Sequence, residues 1–164
     1  MSKDVRSLEP KVIWNYFEDL NAVPRGSKKE AKAVEFFKEF GKKHKIDTTV
    51  DEMGNVVFRK PATPGKENSP IVILQGHMDM VCEKRPDVDH DFTKDGLNIS
   101  VKDGYITANG TTLGGDDGIA VAYGLALLDS TDIPHPPLEV LFTVDEEIGL
   151  LGAVGLDCSV LKGR

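Results

Sequence analysis

The sequence has 164 residues, of which 40% are hydrophobic and 29% charged, and a formal net charge of −7. The length supports one domain with a real core, and the acidic balance argues against nucleic acid, which needs a basic footprint. No apolar run approaches the roughly 20 residues of a membrane helix, the start Met1-Ser2-Lys3-Asp4 lacks a secretory h-region, and two cysteines, Cys82 and Cys158, are too few for a disulfide scaffold, so the expectation is a reduced, cytoplasmic protein.

Residues 10–20 predict a helix, with Pro10 in its first turn and Ile13, Tyr16, Phe17 and Leu20 on one face. Pro24-Arg25-Gly26 breaks it. Ser27-Lys28-Lys29-Glu30 reads as a capping box opening a second helix, which carries Ala33, Val34, Phe37 and Phe40 inward. Residues 48–51 and 55–58 read as strands around a turn at Met53-Gly54-Asn55. Residues 61–70, rich in Pro, Gly, Lys and Ser, read as a surface loop. Ile71-Val72-Ile73-Leu74 is apolar on both faces, which predicts a buried strand, and Gly76 ends it. His77 then stands at its carboxyl end, where open α/β sheets bind ligands. Residues 82–96 read as an exposed loop. Residues 98–108, with Asp103-Gly104 at the middle, resemble a second hairpin. Gly118 to Leu128 is apolar all round, the pattern of a helix buried on several sides. Leu138 to Val144 is another central strand and ends in Asp145-Glu146-Glu147-Ile148-Gly149; residues 150–156 begin a further helix. Strands alternating with helices give an α/β three-layer sandwich with a mostly parallel central sheet and a hairpin-bearing edge.

Three segments bring polar groups to one sheet edge: His77 and Asp79, Asp116 and Asp117, and Glu146 and Glu147. At its spacing Asp79 can accept a hydrogen bond from His77, fixing the tautomer and making the free nitrogen a better metal ligand. One imidazole with several carboxylates suits Zn²⁺, with Mn²⁺ or Co²⁺ as substitutes. Adjacent glutamates on extended backbone point opposite ways, so one can hold a metal while the other serves as general base. Gly114-Gly115 before a helix also fits a phosphate loop. However, Asp116 and Asp117 would meet the anion with like charge, and no Gly-Lys-Ser/Thr ending follows.

His-Met-Asp-Met-Val-Cys-Glu-Lys (77–84), His-Asp-Phe-Thr-Lys-Asp (90–95), Thr-Thr-Leu-Gly-Gly-Asp-Asp-Gly-Ile-Ala (111–120) and Thr-Val-Asp-Glu-Glu-Ile-Gly-Leu (143–150) together resemble the aminoacyl-histidine (Xaa-His) dipeptidases of peptidase D type, within the carnosinase-like di-zinc metallopeptidases. The resemblance implies His77 as a ligand of the first zinc, Asp79 as its orienting partner, Asp116 as the bridging carboxylate, Glu146 as general base and Glu147 as ligand of the second zinc. It also implies a cis Asp116–Asp117 peptide. Gly115 and Asp117 depart from the Ala and Asn of the subgroup. Members of this family are much longer, with a further acidic ligand, a lid and dimerisation domain, and a distal metal-binding histidine. The expectation is therefore that residues 1–164 form the N-terminal part of a catalytic domain, binding zinc weakly and hydrolysing little alone, whose parent is a homodimer. The substrate implied is a small peptide, an Xaa-His dipeptide such as β-alanyl-histidine. The rival readings are another amide hydrolase of the family, an aminoacylase or carboxypeptidase, and a non-catalytic cation-binding fold unit.

Overall fold

Ile13, Phe17 and Leu20 recur at helical spacing and form the buried face of helix α1 (Lys11–Asn21). They belong to a computed structural model that describes residues 4–164, so the first three positions of the polar start lie outside the described residues. Helix α2 (Ala31–His44) buries Ala33, Phe37 and Phe40 and ends at Lys45, whose φ of 56° is left-handed. Four strands make the main sheet: β1 (Asp47–Val50), β2 (Val56–Lys60), β3 (Val72–His77) and β6 (Leu138–Thr143). Strands β4 (Ile99–Lys102) and β5 (Tyr105–Ala108) form the separate hairpin. Helix α3 (Gly115–Asp129) is irregular at Asp116 and Asp117, and the short α4 (Leu151–Gly155) follows β6.

The sheet order is β1-β2-β6-β3. Within the α/β architecture the sheet is mixed rather than mostly parallel: β3 and β6 run parallel, while β1–β2 and β2–β6 are antiparallel. The short β1–β2 turn forces the first antiparallel pair, while α3 supplies the crossover that a parallel β3–β6 pair needs. Register sets Val56 against Phe142 and Phe58 against Val140, which places these four side chains on one face. There they pack with Leu20 of α1, Phe37 and Phe40 of α2, and Val121 and Leu125 of α3 in one buried cluster. A second cluster joins Ile13 and Phe17 of α1 to Ala122 and Ala126 of α3, with Val101 and Ile106 of the hairpin against it. That accounts for the apolar circumference of α3, which lies between sheet, α1 and hairpin. The opposite sheet face is covered by the C-terminal segment: Glu139 Oε2 accepts the amides of Lys162 and Gly163 at 2.8 and 2.9 Å.

Three local readings change. First, β3 is not buried along its length; Val72 and Gln75 are exposed and only Gly76 and His77 are fully enclosed. It lies at the sheet edge, meeting β6 on one side and, on the other, Arg164, whose carbonyl accepts the Ile73 amide at 2.9 Å. Second, Gly76 does not end the strand, which continues through His77. A Cβ there would sit 2.9 Å from Asp117 Oδ2 and would push aside the oxygen that accepts the His77 amide. Third, Ser27 and Glu30 do not form a capping box, and α2 has no side-chain cap at its N-terminus. Ser27 Oγ donates to Asp79 Oδ2 at 2.7 Å, and Glu30 Oε1 accepts the Asp145 amide at 3.0 Å. Buried groups such as Asp79 cannot turn to water, so leaving them unpaired costs more than leaving a helix-end amide to solvent.

Candidate metal centre

The parallel pair β3–β6 carries His77 opposite Thr143, so both strands deliver their next residues to the same end of the sheet. His77 is buried, and both of its ring nitrogens are engaged. Nδ1 lies 3.3 Å from Asp79 Oδ1 and 3.2 Å from the Asp79 carbonyl. Nε2 faces Asp116 Oδ1 at 3.0 Å and Glu146 Oε2 at 3.7 Å. Burial works against charge on the imidazole, but the bonds to Asp79 and Asp116 and the charges of Asp79 and Glu146 raise its pKa to about 9. Such a proton occupies the place that a cation would take.

Asp79 is fully enclosed. Burial alone would push its carboxyl up; hydrogen bonds with His77 and Ser27 and from the Glu146 and Glu147 amides hold it at about 2 instead. It is therefore a permanent anion with every oxygen in use, suited to orienting His77 rather than to ligating.

The Glu146–Glu147 pair behaves differently from the extended-backbone reading. The chain turns at Asp145, whose φ is 54°, and the amides of Gly149 and Leu150 close back on the Glu146 carbonyl at 3.0 and 2.9 Å. Both carboxylates consequently reach the His77 side instead of opposite faces. Glu147 has its pKa raised, first by burial, then by the nearby Asp116, Glu146 and Asp79 charges against the relief given by His77.

Asp116 and Asp117 enter α3 through a cis peptide bond. Asp117 Oδ2 accepts the His77 amide at 3.3 Å, and burial raises its pKa. The Asp116 side chain is 86% exposed and touches only His77 among the site residues.

Donor atoms of His77, Asp116 and Glu147 lie within 4.8 Å of one another. One imidazole nitrogen and two carboxylates within such a span fit a hard or borderline divalent cation. A second acidic group, Glu30, Asp79 and Asp145, is equally close. Its oxygens already accept amide and hydroxyl protons: Asp145 Oδ1 takes the Lys28 amide at 2.7 Å, and Glu30 and Asp79 take those given above. Those bonds give it a structural role, tying the Lys28 and Asp145 turns together.

Sequence reading missed Arg25, Asn55 and the true role of Glu30. Arg25 is buried, and its guanidinium donates to the carbonyls of Met78, Asp79 and Gly114 and to Asn21 Oδ1, at 2.7 to 3.3 Å. It thus ties the His77–Asp79 segment to the loop that presents Asp116. Burial lowers its pKa to about 10, against the raising effect of Asp79. An Arg between Pro24 and Gly26 carries no local signal for this, since all of its partners except Asn21 lie more than fifty residues away.

This arrangement, carboxylates and one oriented imidazole at the carboxyl ends of two parallel strands, defines a class, and the chain belongs to peptidase family M20/M25/M40, which matches residues 73–159. Across 97% of its length it is 40% identical to the cytosol non-specific dipeptidase of Escherichia coli K12, covering 33% of that protein. Among solved structures it superposes on the aminoacylhistidine dipeptidase of Vibrio alginolyticus with TM-score 0.95 and 43% identity, over 98% of this chain and 33% of that one. The aminopeptidase PepT of Bacillus cereus gives TM-score 0.76 and 28% identity, over 94% of this chain and 41% of that one. The chain therefore spans about a third of the length of its first relatives.

Proposed function

We propose that these residues are the N-terminal part of the catalytic domain of a zinc-dependent cytosolic dipeptidase that hydrolyses Xaa-His dipeptides such as β-alanyl-histidine, with the lid and dimerisation domain and the remaining ligands in the rest of the chain of a homodimer. The observation that carries the reading is the convergence of His77, Asp116 and Glu147 donors within 4.8 Å. Two zinc ions there, or Mn²⁺ or Co²⁺ in their place, would supply Lewis acidity toward a carbonyl oxygen and a water molecule.

His77 would hold a first ion and Glu147 a second, with Asp116 a ligand of both, and Asp79 would fix the tautomer that leaves Nε2 free to ligate. Glu146 is only about a third exposed, with its Oε2 facing His77, and it is not tied to any ligand-orienting bond. It would take the proton of the attacking water and return it to the leaving amine. Beside Glu147 lies a pocket of about 290 Å³ with apolar walls from Met80, Phe92 and Ile148, a size that admits one side chain of a small peptide. A cytosolic setting is supported by the name of the Escherichia coli relative, and no helix among the described residues is long and apolar enough to cross a membrane.

The test is a substrate panel on the complete protein with and without added zinc. Zinc-dependent release of histidine from β-alanyl-histidine supports the reading. Cleavage of N-acyl amino acids with β-alanyl-histidine left intact would assign the chain to an aminoacylase-like specificity, and turnover indifferent to chelation would remove the metal.

A further inference from the structure

Four consecutive amides on the turn after β6 all donate to side chains from other parts of the chain. Val144 N–H reaches Asn55 Oδ1 at 3.1 Å, and Asp145 N–H reaches Glu30 Oε1 at 3.0 Å. Glu146 and Glu147 N–H reach the two oxygens of Asp79 at 3.0 and 3.2 Å. All three acceptors are buried. The turn has left the sheet, so no neighbouring strand satisfies these amides, and water would be the ordinary partner. We propose that Glu30, together with Asn55, is a positioning residue that fixes the Glu146–Glu147 turn against His77.

Several features make this more than a helix start that happens to touch a loop. The contact is reciprocal: Asp145 donates to Glu30 and in turn accepts the Lys28 amide through Oδ1 at 2.7 Å. Both Lys28 and Asp145 are left-handed, with φ of 65° and 54°, so each turn holds the other in a backbone conformation that side chains disfavour. Asn55 is locked in turn, its Nδ2 donating to Asp51 Oδ2 and to the Gly152 carbonyl at 2.7 and 2.9 Å. Gly152 sits so close that a Cβ would lie 2.3 Å from the Val144 carbonyl oxygen, which pins α4 on the same turn. Placing a carboxylate in a buried site is unfavourable unless it is hydrogen-bonded, and Glu30 spends its bond on the amide one residue before Glu146. Sites that must hold reacting groups to about 0.5 Å depend on supports of this kind.

The effect on metal rests on the zinc reading above, so the test has two arms. In the first, amide hydrogen exchange is followed at residues 144–147 of the whole metal-free protein. In the second, zinc is titrated by calorimetry. E30M, which keeps bulk and removes the acceptor, should speed exchange at Asp145 by about tenfold or more and weaken zinc by about 10–100-fold, the usual cost of losing an orienting partner. E30Q keeps a carbonyl acceptor and should restore both to within about twofold of wild type, a rescue that mere loss of packing does not give. If E30M does not fold, E30A, which leaves room for water, is read in its place. Unchanged exchange at Asp145 in the acceptor-free variant would overturn the proposal, and so would faster exchange with unaltered zinc affinity. Wild-type protein that takes up no zinc would contradict the metallopeptidase reading, while the exchange arm would still decide whether Glu30 holds the turn.

Discussion

Two adjacent acidic pairs meet His77, and they are supported in opposite ways. Glu146 and Glu147 sit on a turn whose amides are held by Asn55, Glu30 and Asp79, so their backbone is fixed from outside. Asp116 and Asp117 have no such set. Asp117 reaches the His77 amide, Arg25 holds the Gly114 carbonyl at 2.7 Å, and the Asp116 side chain lies open beside Nε2. Four amides of one pair's turn are held by side-chain acceptors, whereas the other pair rests on the Arg25-held loop, the Asp117 bond to the His77 amide and the Asp116 contact with Nε2. Precision at the Glu146–Glu147 turn is built into the backbone, while Asp116, proposed as a ligand of both ions, keeps its side chain largely exposed.

The largest test of that contrast is on the firmly held pair. Glu146→Gln in the complete protein should lower kcat by about 10²–10⁴-fold, the range of general-base catalysis. Zinc content should barely change, because Gln retains the held backbone. Near-wild-type turnover would remove Glu146 from the base role.

Next comes the support of the open pair. Arg25→Met leaves the Met78, Asp79 and Gly114 carbonyls without their donor. It should destabilise the fold by about 3 kcal/mol, since each buried unsatisfied acceptor costs about 1–3 kcal/mol and water recovers part of that. Urea denaturation measures it; a loss below about 1 kcal/mol would mean that the two loops do not need the guanidinium.

A smaller effect concerns pH. Burial raises Glu30 from 4.5 to about 7 in the folded state. Between these values the folded protein binds the extra proton, so stability falls as pH rises through that window and levels off above it. Glu30→Gln copies the protonated form and should lose this slope. The difference between pH 5 and pH 8 should be about 1–3 kcal/mol after allowance for relaxation, read by thermal melts of both proteins. Parallel pH profiles would show that Glu30 ionises normally.

The smallest change is expected at Asp117→Asn. Its Oδ1 can still accept the His77 amide that Asp117 Oδ2 accepts now, so stability should shift by less than about 0.5 kcal/mol. A large loss would show that the charge itself, not the acceptor, matters beside His77.

The pattern of what was readable in the chain follows the same division. His77, Asp79, Asp116, Glu146 and Glu147 stood out because they are chemically unusual at the ends of apolar runs, and the helices and hairpins were marked by their periods and turn residues. The edge position of β3 was not, because an apolar run does not say how many neighbours a strand has. Nor was the use of Ser27 and Glu30, whose spacing suits a helix cap as well as it suits two distant partners just past β3 and β6, Asp79 and Asp145. Asn55 read only as a turn residue and Arg25 only as a helix breaker, since the carbonyl and amide groups they hold come from distant backbone that any residue type could provide.

The central claim is that His77, Asp116 and Glu147 share bound metal. Anomalous scattering at the zinc edge from a zinc-soaked crystal tests it most directly. The account predicts density for zinc between His77 Nε2, Asp116 and Glu147, with Asp79 still bonded to His77 Nδ1. Zinc bound instead among Glu30, Asp79 and Asp145, or no zinc at His77 under saturating metal, would contradict it.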